Sequence, residues 1–143
     1  MDVNAVGPAV VAAAFRPMLL KSENPYSIFV SSGAGSMGRS SDPTQPLYRG
    51  GLPNGGAYRA SKAALNMIAL QEFIEFGEMG LKVFAMSPGF VKSNLRGTSE
   101  EEISGWGGAG DPIVAGETML KIVRGERDAD VGKLVTKDGI YPW

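Results

Sequence analysis

The chain contains no histidine and no cysteine. Without histidine there is no Ser-His or Cys-His pair and no ordinary zinc site, so hydrolysis by those routes is set aside and no metal site is expected. Without cysteine there is no disulfide and no thiolate chemistry, which accords with a cytoplasmic protein. No apolar run approaches the ~20 residues of a membrane span, and the first residues lack the basic-then-apolar order of a signal peptide. No membrane partner is therefore expected. Charge of one sign is also scarce: 14 Lys and Arg stand against 15 Asp and Glu, a formal net charge of -1. A nucleic-acid partner is not expected from such a balance. Glycine, by contrast, is plentiful, with 20 in 143 residues, a sign of backbone packed close to something. The length suits one core, and residues 1–143 read as part of a single domain.

The chain is organised around Ala57 to Asn66, in which Tyr58 and Lys62 stand four apart. On a helix that spacing puts both side chains on one face, a turn apart. Free tyrosine titrates at about pH 10 and is a poor acid or base at neutrality. An ammonium beside a phenol favours the phenolate and moves it toward general acid/base work. Taken alone, the pair also fits an ordinary helix-surface contact.

In order along the chain, Asn4 to Leu20 predicts a helix, with Val6, Val10, Ala13, Ala14, Met18 and Leu19 at helical spacing and Pro17 as an imperfection. Tyr26 to Ser32 predicts a buried strand, and Gly33 to Gly56 a loop rich in Pro and Gly. Ala57 to Phe76 predicts a second helix, apolar on more than one face and so buried on several sides. Leu81 to Ser87 predicts the next strand, ended by Pro88-Gly89. Gly89 to Gly110 reads as irregular, with one acidic helical turn at Glu100 to Glu102. Pro112 to Arg124 predicts a third helix capped by Asp111, and Gly132 to Thr136 a third strand. Strands separated by helices run parallel, which makes the fold α/β. Gly33 to Gly38 spells the dinucleotide fingerprint G-x-G-x-x-G after a strand. The mechanism of that fingerprint needs a helix to open at once and an acidic residue about 20 positions on. Breaker-rich sequence follows instead, so the glycines are read as a loop that lets backbone pass close to a ligand.

With Asn4, Ser31-Ser32-Gly33, Tyr58, Lys62 and Pro88-Gly89 in hand, the chain resembles the C-terminal part of a short-chain dehydrogenase/reductase. Asn4 to Gly7 matches that family's Asn-x-x-Gly, Ser32 its strand-end serine, and Tyr58 with Lys62 its Tyr-x-x-x-Lys. Ser87 to Ser93 matches its Pro-Gly segment, with Ser93 where threonine is more usual. The resemblance implies a partial Rossmann-like, doubly wound parallel sheet of roughly three strands with helices on both faces. It also implies hydride transfer between NAD or NADP and a small carbonyl or alcohol substrate. Tyr58 would be the general acid/base, Ser32 would hold the substrate oxygen, and Lys62 would favour the phenolate and bind the nicotinamide ribose. Asn4 would hold a water leading from Lys62 to solvent, while Pro88, Gly89, Val91 and Ser93 would line the nicotinamide.

Two departures bear on function. The loop from Ser32 to Tyr58 is longer than the family's, and Gly50, Gly51 and Pro53 are expected to shape the substrate side. The family's opening strand and Thr-Gly-x-x-x-Gly-x-Gly turn have no counterpart before Asn4. The strand Tyr26 to Ser32 is thus expected to lack a neighbour, and activity of this chain alone is in doubt. The alternative is a non-catalytic chain that associates, as a homo-oligomer or with a relative, through helices 4–20 and 57–76. Trp106, among glycines, reads equally as a lid over substrate or the core of a small flap.

Overall fold

Along Lys82 to Met86, Val83 and Ala85 point to one side and Phe84 and Met86 to the other, and all four are 2% exposed or less. A strand apolar on both faces needs cover on both. In the computed structural model, which describes residues 1–46 and 55–143, this segment is the inner strand β2 (Lys82–Met86). It pairs in parallel with β1 (Tyr26–Val30), Tyr26 opposite Lys82 through to Val30 opposite Met86. On its other side lies β3 (Leu134–Thr136), also parallel. A fourth strand, β4 (Gly139–Tyr141), returns antiparallel to β3, giving the order β1-β2-β3-β4.

The helices are α1 (Gly7–Leu19), entered through a π-turn at Asp2–Val6, then α2 (Met37–Ser41), α3 (Gly56–Phe76), α4 (Glu100–Ile103) and α5 (Ile113–Val123). Leu65 and Ala69 of α3 pack with Phe29, Val83, Ala85 and Leu134. Ile122 of α5 packs with Phe84, Met86 and Val135. The two clusters use alternate residues of the same strands, so helices cover both faces, as the α/β reading requires. A buried carboxylate ties one layer together. Glu72 of α3 accepts from Arg16 of α1 (Nε to Oε1, 3.0 Å) and from Ser27 of β1 (Oγ to Oε2, 2.7 Å), and the Arg16 guanidinium lies 4.1 Å from the centre of the Phe76 ring.

Several expectations are corrected. The sheet adds a fourth, antiparallel strand to the roughly three parallel ones expected. That strand is only three residues long, too short to show a period of two in sequence. The segment after β1 is not plain loop: a 3-10 turn occupies Gly33–Gly35, and α2 follows, capped by the Ser36 hydroxyl on the Arg39 N–H. Gly50, Gly51 and Pro53 lie outside the described residues. Within the chain, helix α3 buries a single stripe of Ser61, Leu65, Asn66, Ala69 and Glu72, and leaves Met67 and Ile74 exposed. Pro112 rather than Asp111 sits at the cap of α5, although the Asp111 carboxylate still accepts the Ile113 N–H at 2.9 Å. The acidic turn at Glu100 is present as α4, closed by a reciprocal capping box between Ser99 and Glu102.

The outer side of β1 is bare. Lys82 N–H donates to Pro25 and Ser31 N–H to Met86, so the odd-numbered residues of β1 face β2. By the alternation of a parallel ladder, the N–H and C=O groups of Tyr26, Ile28 and Val30 face away. Among the described residues no strand pairs with them. An open groove of about 410 Å³ runs between this edge and α1, lined by Val11, Phe15, Ile28 and Val30 among others. No helix among the described residues is long and apolar enough to cross a membrane.

Candidate active site

Two adjacent parallel strands end on the same side of a sheet, and the segments leaving them there face each other. From β1 come Ser31 and Ser32; from β2 come Ser87, Pro88 and Gly89. The two exits are tied together, because the Gly33 N–H donates to the buried Ser87 hydroxyl at 2.9 Å. Ser32 is half-buried in extended backbone, and its Oγ accepts the Ala34 N–H at 3.1 Å, so its own proton is left for another acceptor. Behind it, Ser31 is 2% exposed. The Ser31 hydroxyl donates to Asn66 Oδ1 of α3 at 2.5 Å. The Nδ2 of Asn66 is buried without a partner among the described residues.

Helix α3 begins two residues before Tyr58, placing Tyr58 in its first turn and Lys62 in its second. Both are half-buried, with Lys62 Nζ 6.0 Å from the centre of the Tyr58 ring. The ammonium donates to the carbonyl of Val30, on the open edge of β1, at 2.9 Å. Burial holds the Lys62 ammonium below the usual lysine pKa, since the charged form gives up part of its hydration. Asn4 approaches the same two turns: its Nδ2 donates to Ser61 Oγ at 3.1 Å, and Ser61 Oγ donates to the Tyr58 carbonyl at 2.8 Å. Asn4 and Lys62 both line the groove beside β1, which Ser32, Tyr58 and Pro88 do not reach. That groove is therefore an approach to Lys62 from behind.

Beyond β2, Pro88 is half-buried, while Gly89 is exposed and takes φ of 84°, the left-handed region. Val91 and Ser93 are half-buried and start a flap: Val91 bridges Gly110, and Ser93 N–H donates to Ile103. Arg96 pins this flap by donating to the carbonyls of Val91, Glu102 and Ile103, with its guanidinium 4.6 Å from the centre of the Phe90 ring. Trp106 is 71% exposed and holds φ of 53°, unfavourable for a large side chain. It is not the core of the flap.

The structure thus brings Ser32 and the Pro88–Gly89 turn together through Ser87, and Asn4, Tyr58 and Lys62 together through Ser61. Sequence reasoning passed over Ser61, Asn66 and Ser87 as partners. One signal was available: Ser61, Leu65 and Ala69 share a helical stripe, and a serine or asparagine on a buried stripe needs a hydrogen-bond partner.

The chain is similar in sequence and fold to known proteins. A family model described as short chain dehydrogenase matches residues 1–104. The chain is 38% identical to the short-chain dehydrogenase/reductase tropE of Talaromyces stipitatus, over 96% of this chain and 54% of that protein. It is 34% identical to the short-chain dehydrogenase/reductase eupG of a Phoma species, over 99% of this chain and 56% of that protein. The chain thus spans about half the length of the curated relatives it matches. Among solved structures, NADPH-bound carbonyl reductase from chicken fatty liver superposes with a TM-score of 0.76 at 28% identity, covering 98% of this chain and 54% of that one. The carbonyl reductase Sniffer of D. melanogaster gives 0.69 at 23% identity, a likeness of fold, over 99% of this chain and 55% of that one.

Proposed function

The chain belongs to the short-chain dehydrogenase family, and on that premise we propose that it carries the catalytic part of an oxidoreductase acting on a small carbonyl or alcohol. The observation that supports this most is the seating of the loop after Ser32 on the α3 backbone at Lys62, with Ser87 tying that loop to the strand end that carries Pro88 and Gly89. The residues present fit a nicotinamide. An ammonium has three donor hydrogens, and Lys62 spends one on Val30, leaving others for ribose hydroxyls. Gly89 is exposed and open, with nothing within 4 Å of where a side chain would start. Pro88, Gly89, Val91 and Ser93 would line the ring. The cofactor, NADP or NAD, supplies or accepts the hydride.

In this reading Tyr58 gives a proton to the carbonyl oxygen, or takes one from the alcohol. Ser32, whose lone pair is already engaged by Ala34, donates its hydroxyl proton to the same oxygen and holds it in place. Asn4 donates to Ser61, leaving its Oδ1 to hold a water on the path from Lys62 to solvent. A second reading, association through helices 4–20 and 57–76, is favoured by the exposed Val10 and Met18 of α1 and Met67 and Ile74 of α3.

The test is a titration of the 143-residue chain with NADPH and NADH, followed by nicotinamide fluorescence and tryptophan quenching, with carbonyl reduction assayed alongside. Saturable binding is expected, weakened about tenfold or more in Lys62→Ala. Tyr58→Phe is expected to leave binding within about twofold and to lower reduction by about 100-fold. A folded chain that binds neither nucleotide, or a Tyr58→Phe variant with parental turnover, would falsify the reading.

A further inference from the structure

The Gly33–Gly38 motif remains without a role in the proposed chemistry, and its backbone shows why it is not a phosphate cradle. The Gly33 N–H is spent on Ser87, the Gly35 N–H on the Ser32 carbonyl at 3.0 Å, and the Gly38 N–H on the Trp143 carbonyl at 2.8 Å. All three of these glycines mark close approaches instead, Gly38 with the Pro142 ring 2.9 Å from where its side chain would start. A methyl group built on Gly35 would stand 2.5 Å from the Lys62 carbonyl carbon, 2.7 Å from its oxygen and 2.8 Å from the Ala63 nitrogen. All three are helix backbone, which has no freedom to give way. One built on Gly33 would stand 2.5 Å from Arg39 Nη1 and 2.7 Å from the Tyr141 ring.

Tyr141 is itself fixed. The Arg39 guanidinium lies 4.0 Å from the centre of its ring. Next to it, the fully buried Ser36 donates its hydroxyl to the Pro142 carbonyl at 2.6 Å. The loop carrying Ser32 is therefore seated between two surfaces, the backbone of α3 at Lys62 on one side and Tyr141–Trp143 on the other.

We propose that Gly35, with Gly33 seated on Tyr141, sets the spacing between Ser32 and the Tyr58–Lys62 turns, so that the glycine motif is a positioning element. Its catalytic consequence rests on the roles proposed above for Ser32 and Tyr58. A side chain at residue 35 wedges the loop off α3, carrying Ser32 away from the phenol while leaving the Pro88–Gly89 wall in place. Displacements of that size lower the chemical step more than cofactor binding.

The experiment compares Gly35→Ala, Tyr141→Ala, Tyr141→Phe and the control Gly116→Ala, a helical position with open space around it. Amide exchange by NMR on the 143-residue chain reads the seat directly, because the Gly33 and Ala34 amides donate to Ser87 and Ser32. Gly35→Ala is expected to speed exchange of those two amides by about tenfold or more, with Val83 and Ile122 unchanged. Where carbonyl reduction is measurable, the same variant lowers kcat by about 100-fold and leaves NADPH binding within about twofold. Tyr141→Ala, which removes the ring over Gly33 together with its stacking on Arg39, gives the same selective loss if Gly35→Ala does not fold; Tyr141→Phe and Gly116→Ala keep parental protection. A folded Gly35→Ala or Tyr141→Ala chain whose Gly33 and Ala34 amides exchange at the parental rate overturns the proposal, as does a Gly35→Ala loss that falls on nucleotide binding rather than kcat. Absence of turnover in the parent chain counts against the proposed activity alone, since the exchange data still decide the spacing.

Discussion

Lys62 is held where its charge is uncomfortable. Burial lowers its pKa, so the folded chain binds its proton less readily than the unfolded chain does. The sign follows from linkage: the cost is fully present below the folded pKa and is relieved as pH rises through it toward the ordinary lysine value of 10.5. Lys62→Met is therefore expected to melt at the same temperature as the parent or a higher one at pH 7, with any gain fading above about pH 10. Thermal melts at the two pH values check this. A drop of several degrees at pH 7 would mean that the bond to Val30 outweighs the burial cost. The spacing of Tyr58 and Lys62 was legible in sequence because it needs only helical periodicity. The attachment of Lys62 to Val30 was not, since it depends on which side of β1 is left open. Trp106 shows the same limit, as its flanking glycines announce a turn but give no sign of whether the ring points in or out.

At the scale of elements, the weight falls on Glu72. It is the only charged residue among the buried polar ones described, and it joins α1, β1 and α3 through Arg16 and Ser27. Glu72→Ala removes the acceptor from both and leaves Arg16 facing an apolar layer, with an expected loss of about 3 kcal/mol in urea unfolding. Glu72→Gln, which keeps an acceptor for Ser27, is expected to lose less. Equal midpoints for Glu72→Ala and the parent would show that α1 is held by its apolar contacts alone. Most elements could be read from the sequence, because β1, β2, α3 and α5 carry long periodic or apolar signals with clear stops. What failed was the side each element presents. Counting Ala, Leu, Met and Ile along α3 did not show that its buried stripe includes Ser61, Asn66 and Glu72. Their burial is made tolerable by partners 35 to 57 positions away in sequence. Local patterns do not contain such information, and they miss β4 for a similar reason, since it is specified by pairing with β3.

For the whole molecule, α1 is the exposed member. None of its residues is buried, and Val10 and Met18 lie on one stripe, two helical turns apart, facing solvent. Apolar stripes of this kind mark contact surfaces. Sedimentation velocity is expected to show the chain associating with rising concentration, and Val10→Glu with Met18→Glu to return it to a monomer with unchanged far-UV circular dichroism. A parent chain that stays monomeric and folded throughout would remove the association reading. The order of the site's pieces was legible at this scale too, because each belongs to a short run of sequence. Their meeting depends on the hydroxyls of Ser87 and Ser61, which bind segments distant in the chain.

The bare side of β1 also decides how copies of the chain can grow upon one another. Among the described residues the sheet ends in two unlike margins, five residues of β1 at one and three of β4 at the other. Joining β1 to β1 across a two-fold axis consumes both open margins, apart from the Val30 carbonyl that Lys62 holds, and stops at a pair. Joining β1 to β4 leaves a fresh β1 margin after every addition, a polymer with no last member. The longer run of β1 favours the closed pair, and the shortness of β4 works against the open chain.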